Sequence, residues 1–225
     1  MKSLIVTGAG SGLGRELALL YAKQGFHIIL TGRTLEKLRK VEREIQDAGG
    51  SAQSFSVDVT KLEEVRQFIE DAVQRYPLFG LINNAGVGHF GPFEEMAEKE
   101  ISEMLDTNVL GTIYMSQAIL PYLKERNEGL LMNIISTAGL KGKVNEAGYV
   151  ASKFAVRGLT ESLQKELEDT NIKVKAVYMG GMDTPFWDES DHIKDKSRLR
   201  SPKEVAELIL DSIDEDTIVI ESNRK

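Results

Sequence analysis

Short runs of apolar residues alternate with amphipathic segments along the whole chain. Runs of about four to eight apolar and β-branched residues are typical of buried strands, whereas apolar residues at intervals of three and four are typical of helices. From Lys61 to Arg75, for example, Val65 and Phe68 share one face, so we expect a helix there. The alternation predicts an α/β fold, a doubly wound parallel sheet of seven strands with helices on both faces, in a single domain from residue 1 to 225.

The expected elements follow the chain in a regular order. We expect strands from Leu4 to Thr7, Phe26 to Thr31, Ala52 to Val57, Phe79 to Ile82, Leu130 to Ile135, Lys173 to Tyr178 and Thr217 to Ile220. We expect helices from Arg15 to Ala22, Leu35 to Ala48, Lys61 to Arg75, Glu98 to Lys124, Tyr149 to Leu167 and Pro202 to Ile213.

Composition narrows the class of protein. Hydrophobic residues make up 41% and charged residues 28% of the chain, as is typical of a soluble globular protein. The absence of cysteine excludes disulfides and thiolate metal sites, and we predict no metal site. A net charge of −7 argues against a nucleic-acid or anionic-membrane surface. Because Met1 and Lys2 lead directly into the first strand and no apolar run approaches the roughly 20 residues of a membrane span, we expect a cytoplasmic protein.

Four glycines follow the first predicted strand, in the sequence Thr7-Gly8-Ala9-Gly10-Ser11-Gly12-Leu13-Gly14. In a strand, glycine turn and helix, the first N–H groups of the helix are free to bind a phosphate, and a Cβ in the turn would hold that phosphate away. The order T-G-x-x-x-G-x-G differs from the strict G-x-G-x-x-G pattern, and it lacks the Gly-Lys-Ser/Thr of a P-loop. The turn predicts a dinucleotide site.

This turn resembles the nucleotide-binding turn of the short-chain dehydrogenase/reductase family. The resemblance implies a Rossmann fold and a nicotinamide dinucleotide cofactor. It assigns cofactor binding to five residues of the turn: Gly8, Ser11, Gly12, Leu13 and Gly14.

The end of the second predicted strand favours NADP(H) over NAD(H). An acidic residue there would accept the ribose 2′-hydroxyl of NAD, whereas an arginine pairs with the 2′-phosphate of NADP. The chain has Arg33 at this place and no acidic residue before Glu36. Ser11 is neutral where many NADP-preferring relatives carry a second basic residue, so we expect a moderate preference.

Two further segments match the family's cofactor site. Asp58 and Val59, after the third strand, resemble its adenine-binding pair, although an aspartate there also suits a helix start. The sequence Asn83-Asn84-Ala85-Gly86 resembles the family's N-N-A-G signature, which assigns Asn84, Ala85 and Gly86 to the cofactor. Two amides at the end of a buried strand can tie neighbouring backbone segments together.

Tyr149 and Lys153 carry the predicted chemistry. They are four residues apart on a predicted helix, so their side chains share one face. An ammonium beside a phenol favours the phenolate, so we expect Lys153 to lower the pKa of Tyr149 from its usual value near 10. Such a tyrosine can exchange a proton with a carbonyl or alcohol oxygen.

The resemblance extends to a catalytic quartet. Ser136 lies thirteen positions before Tyr149, a separation usual in the family, and Asn108 matches the fourth active-site residue. The resemblance makes Tyr149 the general acid/base and Ser136 the residue that orients the substrate oxygen. It assigns the nicotinamide ribose to Lys153, places Tyr149 among the cofactor-binding residues, and assigns to Asn108 the support of a water linked to Lys153.

One segment departs from the family pattern. Where the family has P-G-x-x-x-T after its sixth strand, this chain has Met179-Gly180-Gly181-Met182-Asp183-Thr184. Thr184 still occupies the position that contacts the nicotinamide carboxamide in the family. Loss of the proline removes a fixed φ, so other contacts must hold the turn.

The segment from about 185 to 201 is expected to cover the site as a short lid. Phe186 and Trp187, with His89 and Phe90, can line an apolar pocket for an aromatic or bulky ketone or diketone, or they can pack the lid onto the domain. This segment is similar to that of bacterial benzil and sepiapterin-type reductases.

We therefore expect an NADPH-dependent reductase of a small carbonyl compound. A 3-oxoacyl thioester reductase is the alternative enzyme, with Lys194, Lys196, Arg198 and Arg200 as candidates for binding an acyl carrier. A non-catalytic NADP(H) sensor is the alternative of another class. Family members pair through the helices expected at about 112–124 and 149–167, so we expect a homodimer or homotetramer.

Overall fold

The computed structural model describes residues 1–187, 192 and 199–222. The strands are β1 (Ser3–Thr7), β2 (His27–Gly32), β3 (Ser51–Ser56), β4 (Leu78–Asn83), β5 (Gly129–Ile134), β6 (Ile172–Met179) and β7 (Thr217–Ile220). The α-helices are α1 (Gly12–Lys23), α2 (Leu35–Asp47), α3 (Leu62–Arg75), α4 (Glu98–Met104), α5 (Gly111–Arg126), α6 (Ala147–Glu166) and α7 (Pro202–Asp211).

The seven strands form one parallel sheet in the order β3-β2-β1-β4-β5-β6-β7. This confirms the predicted fold class, and most predicted boundaries lie within one or two residues of the observed ones. The strand order reverses direction between β1 and β4. In doubly wound sheets, ligands bind at the carboxyl ends of the strands beside such a reversal.

Apolar layers cover both faces of the sheet. Neighbouring residues of β1 point to opposite sides, so Leu4 lies in one buried cluster with residues of α1, α2 and α7. Ile5 lies in the other, with residues of α3, α5 and α6. Both side chains are fully buried, which explains why the strand is a continuous apolar run. No helix in the described ranges is long and apolar enough to cross a membrane.

The long helix expected from Glu98 to Lys124 is interrupted. A π-helical turn, Leu105–Leu110, separates α4 from α5. Gly111 follows it directly, and a Cβ built there would lie 2.7 Å from Cγ2 of Val59. The wider turn brings Asn108 into the interior, where it is 1% exposed.

Candidate active site

A cavity of about 850 Å³ opens at the carboxyl ends of the strands, beside the reversal between β1 and β4. Eleven of the sequence-predicted site residues line it: Gly8, Ser11, Gly12, Leu13, Asn84, Ala85, Gly86, Ser136, Tyr149, Lys153 and Thr184. The fold therefore brings together the glycine turn, the N-N-A-G segment and three of the four proposed catalytic residues.

The glycines of the turn are required by close packing as well as by space for a ligand. Gly8 has a φ of +63°, and a Cβ there would lie 2.9 Å from Cα of Ala85. A Cβ at Gly14 would lie 2.4 Å from Nδ2 of Asn84. Gly12 has a φ of +55°, and a Cβ there would lie 3.3 Å from Cγ2 of Thr184. Side chains at these three positions would separate the turn from the segments that form the rest of the cavity.

Thr7 and Asn84 tie the ends of β1 and β4 together. The Thr7 hydroxyl accepts hydrogen bonds from the backbone N–H groups of Asn84 and Ala85, at 2.9 and 3.0 Å. Asn84 Nδ2 donates to the Thr7 carbonyl at 3.0 Å. This is the backbone-tying role expected of an asparagine in the N-N-A-G segment.

Asn83 points into the protein interior. Its Nδ2 donates to Ser116 Oγ and to Asn133 Oδ1, both at 2.9 Å, and Asn133 Nδ2 donates to Thr160 Oγ1 at 2.9 Å. This buried chain of polar groups joins β4 and β5 to α5 and α6. Because every bond in it is short and buried, it fixes the strand that carries Ser136 at its end.

Arg33, Asp58 and Val59 lie outside the cavity lining. Arg33 is exposed just beyond the carboxyl end of β2. The Asp58 carboxylate accepts hydrogen bonds from the backbone N–H and the hydroxyl of Thr60, at 3.0 and 2.8 Å. Val59 is buried against Gly111. Asp58 thus stabilises the turn before α3, the structural role that the sequence left open for it.

Ser136, Tyr149 and Lys153 form one wall of the cavity. Ser136 lies just beyond β5 with a φ of +108°, a conformation that residues with a Cβ rarely adopt. Tyr149 and Lys153 are both 6% exposed, and the Lys153 Nζ donates to the Ile134 carbonyl at 3.3 Å. Ser136 hydrogen-bonds the Tyr149 side chain. The hydroxyls of Ser136 and Tyr149 therefore lie close together, where a substrate oxygen could bind.

The expected lowering of the Tyr149 pKa is wrong for this structure. Burial raises the pKa of Tyr149 well above its usual value, the hydrogen bond from Ser136 lowers it in part, and the Glu146 carboxylate raises it. Burial also lowers the pKa of Lys153 to about 8. Removal from water disfavours the charged form of each group, and it is the largest cause of both shifts. Tyr149 is therefore protonated at neutral pH.

Asn108 lies behind this wall, outside the cavity lining. Its Oδ1 accepts from the Val87 N–H at 2.8 Å, and its Nδ2 donates to the Val87 carbonyl at 2.9 Å and to Ser152 Oγ at 3.0 Å. Its own carbonyl accepts from the Thr112 hydroxyl at 2.8 Å. The Asn108 side chain thus joins the loop after β4 to α6, and the expected support of a water linked to Lys153 stays a prediction.

The segment after β6 is held by residues near the end of the described chain. Gly180 N–H donates to the Ile220 carbonyl at 2.7 Å, and Gly181 N–H donates to Ser222 Oγ at 3.0 Å. A Cβ on Gly180 would lie 2.2 Å from Ser222 Oγ. These contacts supply the restraint that the missing proline, replaced by Met179, would otherwise give.

Aromatic side chains form the wall facing Tyr149. Phe186 and Trp187 line the cavity, and Trp187 is also packed onto the domain, because its Nε1 donates to the Met182 carbonyl at 3.0 Å. Phe90 lies behind them, with its ring centroid 5.1 Å from that of Trp187 and 5.4 Å from that of Tyr149. The expectation that His89 and Phe90 line the cavity is wrong: neither does, and His89 pairs with glutamates of α4.

Sequence reasoning missed four residues that shape the site: Lys143, Glu146, Ser152 and Ser222. Lys143 and Glu146 lie in an irregular loop that carries no motif. Much of the expected lid and the three basic residues Lys194, Lys196 and Arg198 lie outside the described residues. Arg200, the fourth basic candidate, pairs with Glu204 and donates to the Glu221 carbonyl.

Comparison with known proteins places the chain in a family. The family model for short chain dehydrogenases matches residues 2–195. The chain therefore belongs to the short chain dehydrogenase family, a family of oxidoreductases.

Individual relatives cover most of the chain. It is 31% identical over 196 residues to a sepiapterin reductase of Chlorobaculum tepidum, covering 84% of this chain and 80% of the relative. It is 29% identical over 221 residues to a 3-oxoacyl-(acyl-carrier-protein) reductase of Thermotoga maritima, covering 93% and 89%. Among solved structures, an alcohol dehydrogenase of Thermococcus sibiricus complexed with 5-hydroxy-NADP superposes with a TM-score of 0.87 at 29% identity, covering 98% of this chain and 94% of that one.

Proposed function

We propose that this protein reduces a ketone, diketone or aldehyde to an alcohol, with NADPH as the hydride donor and Tyr149 as the proton donor. The observation that carries the proposal is the shared wall of Ser136, Tyr149 and Lys153, which faces the same cavity as the glycine turn. The sequence separates these parts widely, and the fold brings them together.

The residues present fit a nicotinamide dinucleotide. In the described part of the chain, the Ser11 side chain makes no cap hydrogen bond to α1, and Ser11 lines the cavity, so the first N–H groups of the helix remain available to a phosphate. Gly8 and Gly12 line the cavity with backbone alone. We assign the pyrophosphate to this turn, the 2′-phosphate to Arg33, and the nicotinamide end to Lys153 and Thr184.

When bound, the reduced nicotinamide supplies a hydride to the carbonyl carbon. Tyr149 supplies the proton: its hydroxyl O–H bond breaks as a new O–H bond forms on the former carbonyl oxygen. The raised pKa of Tyr149 keeps it protonated and ready to donate at neutral pH. Ser136 holds the substrate oxygen beside that hydroxyl. Lys153 places positive charge near the phenolate that remains, with its Nζ 5.5 Å from the centre of the Tyr149 ring.

The cavity wall favours an aromatic or bulky carbonyl compound. Phe186 and Trp187 offer flat apolar surfaces opposite the Tyr149 ring. Sepiapterin, the substrate named for one relative, is such a compound, whereas the 3-oxoacyl group named for another is a chain. An acyl carrier would need a basic docking surface, and Arg200 already pairs with Glu204.

Substitution of Tyr149 by phenylalanine tests the proposal. It removes one hydroxyl and keeps the ring, so folding and NADPH binding should persist while proton donation is lost. We expect turnover of carbonyl substrates with NADPH to fall by about 10²- to 10⁴-fold or more. Tyr21→Phe is the matched control: the Tyr21 hydroxyl is buried in α1 without a hydrogen-bond partner in the described structure. Its removal should leave turnover unchanged.

Two outcomes would count against the proposal. Equal turnover in the wild type and Tyr149→Phe would remove Tyr149 from the mechanism. A wild-type protein that binds NADPH tightly but reduces no member of a broad panel of ketones, diketones and aldehydes would support an NADP(H) sensor instead.

A further inference from the structure

Glu146 is a buried carboxylate in the cavity wall, and the mechanism above makes no use of it. It immediately precedes α6 and is 7% exposed. Tyr149 lies three residues further on, so the two side chains leave neighbouring positions of the same face. Glu146 lines the cavity together with Phe186 and Trp187. A buried charge is costly unless it is paired, so its presence among aromatic rings needs a reason.

The contacts of Glu146 use only part of the capacity of its carboxylate to accept hydrogen bonds. Its Oε1 lies 3.0 Å from His192 Nε2. Its Oε2 lies 3.9 Å from Lys143 Nζ, beyond hydrogen-bond length, and that ammonium donates instead to the Thr137 hydroxyl at 3.2 Å. No group in the described ranges donates a hydrogen bond to Oε2. Since each carboxylate oxygen can accept about two hydrogen bonds, Oε2 can accept from a molecule in the cavity.

We propose that Glu146 is a specificity-determining residue that accepts a hydrogen bond from an N–H group of the carbonyl substrate. This rests on the proposed carbonyl reduction. The substrate class is a planar aromatic carbonyl compound with an amino or ring N–H group. Its carbonyl oxygen binds at Ser136 and Tyr149, its ring lies against Phe186 and Trp187, and its N–H points to Glu146.

The electrostatics of the wall agree with this arrangement. The Glu146 carboxylate helps to raise the pKa of Tyr149, so its charge acts on the reacting end of the cavity. An N–H group of a bound substrate would donate a hydrogen bond to this negatively charged carboxylate. A purely apolar substrate would leave Oε2 without a donor once water is displaced, which disfavours its binding.

Glu146 could instead serve only to hold His192 in place. The His192 ring also stacks on Phe90, with centroids 4.8 Å apart, so His192 has a second contact. His192→Phe keeps an aromatic ring for that stack and removes the contact with Oε1. It therefore separates positioning of residue 192 from recognition of the substrate.

The experiment compares substrates matched in size. 3-Aminophenyl and 3-methylphenyl ketones are similar in size, their substituents are not conjugated with the carbonyl, and the first has N–H donors where the second has a methyl group; kcat and KM are measured for each with NADPH. We expect the wild type to prefer the amino ketone by about ten- to hundredfold in kcat/KM, as a hydrogen bond to a charged group implies. Glu146→Gln should reduce this preference at least about tenfold, mainly through KM.

Two control variants complete the test. Glu103→Gln removes the charge from a similar histidine–glutamate pair, His89 with Glu103 at 3.0 Å, which lies outside the cavity lining. It should leave the preference unchanged. His192→Phe should change both ketones by the same factor, so that their ratio is kept.

Equal kcat/KM for the two ketones in the wild type would overturn the inference, and so would an unchanged ratio in Glu146→Gln. If the wild type reduces neither ketone, binding of the two ketones in the presence of NADP⁺ is measured by calorimetry instead, and the broad panel above decides on the proposed reduction. Tighter binding of the amino ketone by the wild type but not by Glu146→Gln would support Glu146 as the recognition residue. Equal dissociation constants would refute it.

Discussion

The Lys153 ammonium lies 5.5 Å from the centre of the Tyr149 ring and donates its hydrogen bond to the main-chain carbonyl of Ile134. It is thus held in place by backbone and shielded from water, being 6% exposed. In the described ranges it has no carboxylate partner within 4.0 Å. An ammonium buried in this way lowers the free energy of unfolding, and the size of this effect depends on pH.

The pH dependence of stability tests this cost. Burial lowers the pKa of Lys153 from 10.5 to about 8. Below pH 8 the amine is charged in both the folded and the unfolded chain, and the folded state carries the full cost. Between about 8 and 10.5 the unfolded chain binds more protons, so the contribution of Lys153 to stability rises with pH. We expect a gain of up to about 1.4 kcal/mol per pH unit within that window.

Urea unfolding of the protein between pH 7 and 9.5, without added dinucleotide, measures this gain. Lys153→Met should lack it, because methionine has no proton to lose. Lys165→Met is the matched control, since the Lys165 side chain is 82% exposed on the same helix. Parallel pH profiles for the wild type and Lys153→Met would show that Lys153 has an ordinary pKa.

Cofactor preference depends on Arg33. In the described structure no side chain pairs with its guanidinium, and it is exposed beyond the end of β2. Arg33→Ala should weaken NADPH binding by about 1.5–3 kcal/mol and leave NADH nearly unchanged, because only NADPH carries the 2′-phosphate. Dissociation constants from fluorescence titration check this. Arg39→Ala, an exposed arginine within α2, should affect neither cofactor, and equal losses for both cofactors in Arg33→Ala would contradict the assignment.

Gly180 should be intolerant of a side chain. A Cβ there would approach Ser222 Oγ to 2.2 Å and its backbone nitrogen to 2.4 Å, so the end of the described chain would have to move. We expect Gly180→Ala to lower the free energy of unfolding by about 1–3 kcal/mol and to weaken NADPH binding. Gly142→Ala is the control, because a Cβ at Gly142 meets nothing within 4 Å. Thermal unfolding of the two variants with equal midpoints would show that the segment is not held as described.

Sequence patterns were sufficient to predict the sheet and the glycine turn. Strands such as β1 are continuous apolar runs because both faces of the sheet are covered, and that signal is local. The glycine turn could also be predicted from the sequence, because Gly8 and Gly12 adopt positive φ values that other residues avoid. Tyr149 and Lys153 could be paired because helical spacing alone puts them on one face.

Contacts between residues that are far apart in the sequence could not be predicted from it. Ser222 bonds to Gly181 across 41 positions, and nothing near either residue indicates the other. The sign of the Tyr149 pKa shift was also missed, because burial depends on the packing of the whole wall. His89 and Phe90 are adjacent in sequence but point to different surroundings, one to the glutamates of α4 and the other behind the aromatic wall.

Assembly is the last property open to test. Phe154 on α6 lies in one of the two helical regions expected to pair and is 41% exposed. A large exposed apolar side chain there is what an interface between two copies of the chain would cover. We expect a homodimer or homotetramer at micromolar concentration, measured by light scattering coupled to gel filtration.

Phe154→Glu should reduce that mass, because an unpaired carboxylate buried in an apolar interface costs several kcal/mol. Phe93→Glu is the control: Phe93 is 62% exposed and belongs to a short 3₁₀ turn rather than to either of these helices, so its substitution should leave the mass unchanged. A wild-type protein that is monomeric at micromolar concentration would refute the expectation of a homodimer or homotetramer. If the Phe154→Glu variant is still an oligomer, the interface lies elsewhere on the protein.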